Sequence, residues 1–322
     1  MRVLSDDDVA ALLDLDDLLP AIERAFLKQG RGEVERPDRP HFPVGTGIEG
    51  DEPLGTGLTM PAYIHGDSQY ATKLASVHEG NVDRDLPTVQ AQIAVTDART
   101  GEPAGLLAGT RITNARTGCI GGLAADWLAT GDGPVRLGIV GAGTQARWQT
   151  RAIAAARGVE SVRIYSPSDS REACAADLRA EGLDAEAVDS ARAAVADTDV
   201  VVTATTATEP VFPGDALAPG TLVIAVGAYT AEMRELDAAT VSRAVRLFAD
   251  VPEEAAGTGD FPDHDESAFT PLSAVFEGEA GRESDEEILA VASVGSAVLD
   301  AAAATALFEQ ATAGNVGTEV DL

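Results

Sequence analysis

The chain has 322 residues, 45% hydrophobic and 4% aromatic, enough for two domains and a sizeable core in an alanine-rich α/β protein. Its 53 acidic residues against 23 Lys plus Arg give a formal charge of −30, a field that repels nucleic acid and anionic membranes. No apolar run is long enough to span a membrane and the opening MRVLSDDD lacks the parts of a signal peptide, so a cytoplasmic protein is expected.

Residues 1–4 read as a short strand, and Ser5 with Asp8 forms a capping-box pattern for a helix to about Leu13. A second helix over 16–30 carries Leu18, Leu19, Ile22 and Phe26 on one stripe. Residues 33–43 are rich in Pro and Arg and read as an extended connector holding Arg36, Arg39 and His41. Strands are expected over 57–64, 69–78, 88–96 and 104–108; their hairpin order suggests an antiparallel sheet.

In the second of these strands, alternation places Ala71, Lys73, Ala75 and Val77 on one face and Tyr70, Thr72, Leu74 and Ser76 on the other. Lys28 and Lys73 are the only lysines, every other cation being Arg. A lysine on a small apolar face of such a protein calls for a chemical reason, the alternative being a chain that snorkels from an edge strand. The acids are spread along the whole chain, as on a folded surface screened by high salt, and a salt-loving source is expected.

Residues 110–129 read as a helix with Thr113 or Asn114 near the N-cap and Arg116 in the first turn. A cation there opposes the macrodipole and makes sense beside a bound anion, or simply paired with a carboxylate. Residues 130–134 form a linker. Cys119 and Cys174 are too few, and too far from any His cluster, for a structural metal or disulfide framework, and no metal is expected.

The segment 135–146, VRLGIVGAGTQA, is a strand, a glycine turn and a helix start. Gly141 permits the turn, Gly143 lets the backbone approach a pyrophosphate, Ala146 lets helix and strand pack closely, and the helix N-terminus offers free N–H groups. Strand-like runs at 162–165, 200–203 and 221–227 supply the doubly wound parallel sheet that the pattern needs. The first of these ends in Ser166, with Arg171 close by. Hydroxyls and an Arg suit the 2′-phosphate of NADP, whereas Asp169 could serve the ribose of NAD, and the balance favours NADP. Thr203, Thr205, Thr206, Val226, Gly227 and Ala228 fall at the carboxyl ends of the next two strands, where a ligand lies. Residues 249–284 are acidic and turn-rich and read as a solvated loop; Asp263, His264 and Asp265 are adjacent and cannot all face one ion. A last strand at 288–293 leads through Gly295 to a long alanine-rich helix and a tail over 314–322.

In chain order the segments RPDRPHF around Arg39, LTMPAY around Met60, ATKLAS around Lys73, LPTVQ around Thr88, NARTG around Arg116, GAGTQA, EMRELD at 232–237 and SVG at 293–295 resemble the ornithine cyclodeaminase and mu-crystallin family. That family includes archaeal alanine dehydrogenases and ketimine reductases, and the similarity spans almost the whole chain. The resemblance implies a Rossmann domain (119–295) inserted into a mainly antiparallel α+β substrate-binding and dimerisation domain (1–118 plus 296–322), and a homodimer. It implies Arg39 and Arg116 as a carboxylate clamp with Met60 beside the substrate, and Lys73 as the catalytic group. Thr88, Arg116, Gly141, Gly143, Thr144, Gln145, Ala146, Ser166, Arg171, Thr205, Val226, Gly227, Ser293 and Val294 match positions that line NAD(P).

The chemistry is coherent on its own terms. A guanidinium clamp orients an α-carboxylate, and a lysine among apolar groups and arginines has a lowered pKa suited to proton transfer. Members that cyclise ornithine carry an Asp where this chain has Tyr229, and a Tyr cannot counter an ammonium. The sequence therefore favours NAD(P)-dependent interconversion of a small, alanine-like L-amino acid with its keto acid or imine. Ornithine cyclodeamination to proline and ammonia, and a non-catalytic, NADP-bound binding protein, are the alternatives.

Overall fold

A computed structural model describes residues 1–84 and 86–321, and the last residue of the expected tail, Leu322, lies outside it. The chain divides into two units, residues 1–116 with 296–322 and residues 117–295.

The first unit is built on one sheet, in the order Thr318–Glu319, Arg2–Leu4, Pro103–Ala108, Val89–Asp97, Gln69–Val77, Gly55–Ile64 and Val34–Glu35, with His41–Val44 also on Gly55–Ile64. Neighbours run antiparallel except Arg2–Leu4 beside Pro103–Ala108. Part of the expected connector is thus strand, because His41 to Val44 find ladder partners in Gly55 to Leu58. Ser5 and Asp8 close the capping box of helix Asp6–Leu12. Helix Leu15–Gly30 buries Leu18, Leu19, Ile22 and Phe26. Helix Ala297–Gly314 packs on that helix and on the two strands Gly55–Ile64 and Gln69–Val77. It is buried almost all round, with Asn315 in the left-handed region closing its end.

The second unit is an all-parallel sheet in the order Ala185–Ala187, Val159–Tyr165, Val135–Val140, Val200–Thr203, Leu222–Ala225, Ile288–Ala292, Ala244–Ala249 and Phe269–Pro271. The first strand in sequence, Val135–Val140, sits inside the sheet and the chain winds away from it in both directions. That is a doubly wound topology with its switch point beside this strand. The central strands are buried on both faces, so they read as unbroken apolar runs.

The stretch 249–284 is not the solvated loop expected of it. It contains helices Pro252–Ala255 and Leu272–Phe276 and the strand Phe269–Pro271, and it buries Phe261, Phe269 and Leu272. Phe261 and Phe269 meet edge to face at 5.1 Å between ring centres. The acids that made the stretch look solvated are interspersed with these anchors, and Asp250 and Asp260 are themselves buried. Asp263 and Asp265 are exposed. Cys119 and Cys174 are buried free thiols.

Candidate active site

Lys73 occupies the middle of its strand, paired with Met60 on one neighbour and Ile93 on the other, both buried. This is an interior position of the sheet, so the side chain cannot snorkel from an edge, and it is 3% exposed. Its Nζ donates to Asp300 Oδ2 at 2.6 Å. Arg116 Nε donates to the other oxygen of the same carboxylate at 2.8 Å, and both side chains of that pair are buried. Lys28, the other lysine, pairs with Glu33 in a far more exposed place.

Arg116 is not in a first helical turn. The helix begins at Gly109 and runs to Leu128, which puts Arg116 two turns further in and removes it from the helix N-terminus. Thr113 and Asn114 likewise lie inside the helix rather than at its cap. The anion that holds Arg116 is Asp300, delivered by the first turn of helix Ala297–Gly314, where a carboxylate also suits the dipole.

Charge sets the protonation of this group. Burial lowers the pKa of Lys73 to about 8, Asp300 working against that and the charges of Arg116 and Arg39 adding to it. Asp300 is pushed up by burial but more strongly down by Arg116 and Lys73, and ends below the usual carboxylate range. Two buried cations share one buried carboxylate, an arrangement that leaves a positive site for an anionic ligand. Asp300 carries no sequence motif. Its one signal is that it is the only charged residue in the run 297–308.

In the second unit, the residues expected to line a dinucleotide fall at the carboxyl ends of five adjacent parallel strands. Gly141 adopts φ +115°, and a side chain there would meet the Ala204 carbonyl oxygen at 2.4 Å. Gly143, which caps helix Thr144–Ala156 without a side-chain bond, has nothing within 4 Å of where a side chain would start. Ala146 is fully buried beneath this turn. The cradle is therefore closed on its inner side and open at Gly143 and Thr144, which fits a pyrophosphate.

Ser166 stands at the end of strand Val159–Tyr165, its Oγ 3.4 and 3.3 Å from the hydroxyls of Ser168 and Ser170. Arg171 Nη1 donates to the Ser166 carbonyl at 2.9 Å. Thr205, Val226 and Gly227 are half-buried at the next two strand ends, and Ser293 and Val294 are buried at the fifth. Thr88 lies in the first unit beside the Lys73 strand, its carbonyl accepting from the His78 N–H at 2.9 Å.

The model of the ornithine cyclodeaminase/mu-crystallin family matches residues 1–315. The chain belongs to this family. It is 31% identical to the alanine dehydrogenase of Archaeoglobus fulgidus over 99% of this chain and 97% of that one. Thermococcus litoralis Delta(1)-pyrroline-2-carboxylate reductase, solved with NADH and L-proline, superposes with a TM-score of 0.93 at 34% identity, covering 99% of this chain and 100% of that one. An archaeal alanine dehydrogenase dimer with bound NAD gives 0.90 at 28% identity, over 100% and 99%. These relatives are a dehydrogenase and a reductase by name, and each matches over essentially the whole chain.

Proposed function

We propose that this chain is an NAD(P)-dependent oxidoreductase that interconverts a small L-amino or imino acid with its imine or keto acid, with Lys73 as the proton-transfer group. The observation that carries the reading is the buried Lys73–Asp300–Arg116 triad, which unites two of the three cations singled out by sequence and leaves them one negative charge short.

Arg116 presents its Nε edge to Asp300, and its Nη edge is the fork for the substrate α-carboxylate, with Arg39 as the second clamp. Met60, packed beside Lys73, forms the apolar wall. The nicotinamide, when bound, supplies or takes the hydride at Cα. Reduction of an imine also needs a proton at nitrogen, and the Lys73 ammonium donates it; in oxidation the neutral amine takes it back. Asp300 holds Nζ in place for both directions. The dinucleotide would be held in the second unit by Gly141, Gly143, Thr144, Gln145, Ala146, Ser166, Arg171, Thr205, Val226, Gly227, Ser293 and Val294.

The hydroxyl cluster of Ser166, Ser168 and Ser170 with Arg171 supports a preference for NADP, although the solved relatives carry NAD or NADH. Tyr229, 38% exposed where cyclodeaminases carry Asp, supports reduction or dehydrogenation over ornithine cyclisation. The outward sheet face, with Tyr70 and Leu74 exposed, supports a homodimer. The acidic surface supports a salt-rich cytoplasm as the working medium.

The deciding experiment is a screen in molar KCl that pairs NADH or NADPH with pyruvate plus ammonia and with Δ1-pyrroline-2-carboxylate, and runs ornithine separately for proline. Oxidation of reduced cofactor with either acceptor supports the proposal. Proline from ornithine without net cofactor turnover would replace it with cyclodeamination, and cofactor binding without turnover would replace it with a binding role.

A further inference from the structure

Three carboxylates lie buried at the carboxyl edge of the parallel sheet: Glu235, Asp250 and Asp260. Glu235 and Asp260 accept from hydroxyl and backbone N–H donors. Glu235 belongs to the EMRELD segment, for which the reaction above has no use. Its Oε1 accepts from the Thr205 N–H at 2.7 Å and from the Thr205 hydroxyl at 2.8 Å. Its Oε2 accepts from the Thr203 hydroxyl at 2.7 Å and the Gly227 N–H at 2.8 Å. One carboxylate thus ties the ends of two adjacent strands at Thr205 and Gly227, both expected to line the dinucleotide.

The tie is tight. A side chain at Gly227 would start 2.1 Å from the Thr205 carbonyl oxygen and 2.6 Å from Glu235 Oε1. Asp260 anchors Glu235 in turn, accepting from the N–H groups of Glu235 and Leu236 at 2.6 and 2.7 Å. Loss of the carboxylate frees two backbone donors and two hydroxyls at the strand ends, and these groups then turn to whatever else can accept.

We infer that Glu235 is a positioning residue for the dinucleotide: it touches no ligand itself and fixes Thr205 and Gly227 in the conformation that receives the cofactor. The inference rests on the nicotinamide reading of the preceding section. It makes cofactor affinity, rather than proton transfer, the quantity that depends on Glu235, because the Lys73 group shares no hydrogen bond with it. Thr203 supplies the sharper probe. It is fully buried and cannot meet a ligand, so its hydroxyl influences cofactor binding only through Glu235.

The test measures Kd for NADH and NADPH by titration calorimetry, steady-state kinetics and urea midpoints for the full-length wild type, Glu235→Gln and Thr203→Val. The expected result is a cofactor Kd and KM weakened roughly tenfold in Glu235→Gln and about threefold in Thr203→Val. In both, kcat and the KM of the amino or imino acid stay within about twofold. If Glu235→Gln fails to fold, Thr203→Val decides alone. Folded variants whose cofactor Kd stays within about twofold of wild type, whatever their urea midpoints, overturn the inference. A wild type that binds neither NADH nor NADPH overturns the nicotinamide reading instead, so the two failures are distinguishable.

Discussion

Asp300 and Glu235 are equally buried carboxylates with opposite fates. Burial alone would raise both, but Asp300 is paired with Lys73 and Arg116 and ends below its ordinary range. Glu235 is held by neutral hydroxyl and backbone donors beside a second acid, Asp260, and burial pushes it up to about 7. The difference teaches that partner charge, and not depth, decides which buried acid stays ionised in this protein. It also separates two settings, since one carboxylate is held by two cations and the other by hydroxyl and backbone donors.

The most severe way to break this comparison is to remove the cation from the first region. Lys73→Ala is expected to lower kcat by about 10²–10⁴-fold, read as oxidation of reduced cofactor with the best acceptor from the screen. A loss under tenfold would remove Lys73 from the chemistry. Asp300→Asn leaves two cations buried without their counter-charge and is expected to cost about 3–5 kcal/mol, measured by urea denaturation. The same substitution removes the one influence that raises the Lys73 pKa, so the activity limb assigned to Lys73 should move to lower pH.

That limb sharpens the comparison without mutation. The reductive direction needs the ammonium, which is lost as pH rises through about 8, so its rate should fall there while the oxidative rate rises. For Glu235 the sign is opposite to the usual acid case. Its folded pKa of about 7 exceeds the ordinary 4.5, so its protonation contributes stability that is complete below about 4.5 and is lost as pH rises through about 7. Thermal midpoints between pH 5 and 8 should therefore vary less in Glu235→Gln than in wild type. The smallest effect is expected where both partners are exposed: Arg192→Ala, which breaks the 2.7 Å pair with Asp215, should change stability by less than about 1 kcal/mol.

Much of the site was legible because its signals are local. The glycine turn at 141–143 needs only a few consecutive residues to declare itself, and Lys73 stands out in a chain with one other lysine. Arg116 was legible as a residue but not in its setting. The helix starts at Gly109, a residue of poor helix propensity, and its partner Asp300 lies 184 positions away. Strand Ala244–Ala249 and the buried segment after it were missed because acids such as Asp250 and Asp260 are spent inside, on backbone donors, where composition counts them as surface.

The sequence by itself determined the element types over most of the chain, the parallel and antiparallel halves and the family, and it singled out Lys73 and Arg116. Apolar periodicity, glycine placement and short motifs are properties of neighbouring residues and survive without knowledge of the fold. Only the tertiary structure decided that Asp300 joins Lys73 to Arg116 and that Glu235 joins two strand ends. Hydrogen bonds such as these, between residues from 8 to 227 positions apart, are set by how helices and strands pack, and nothing in the local sequence encodes their pairing.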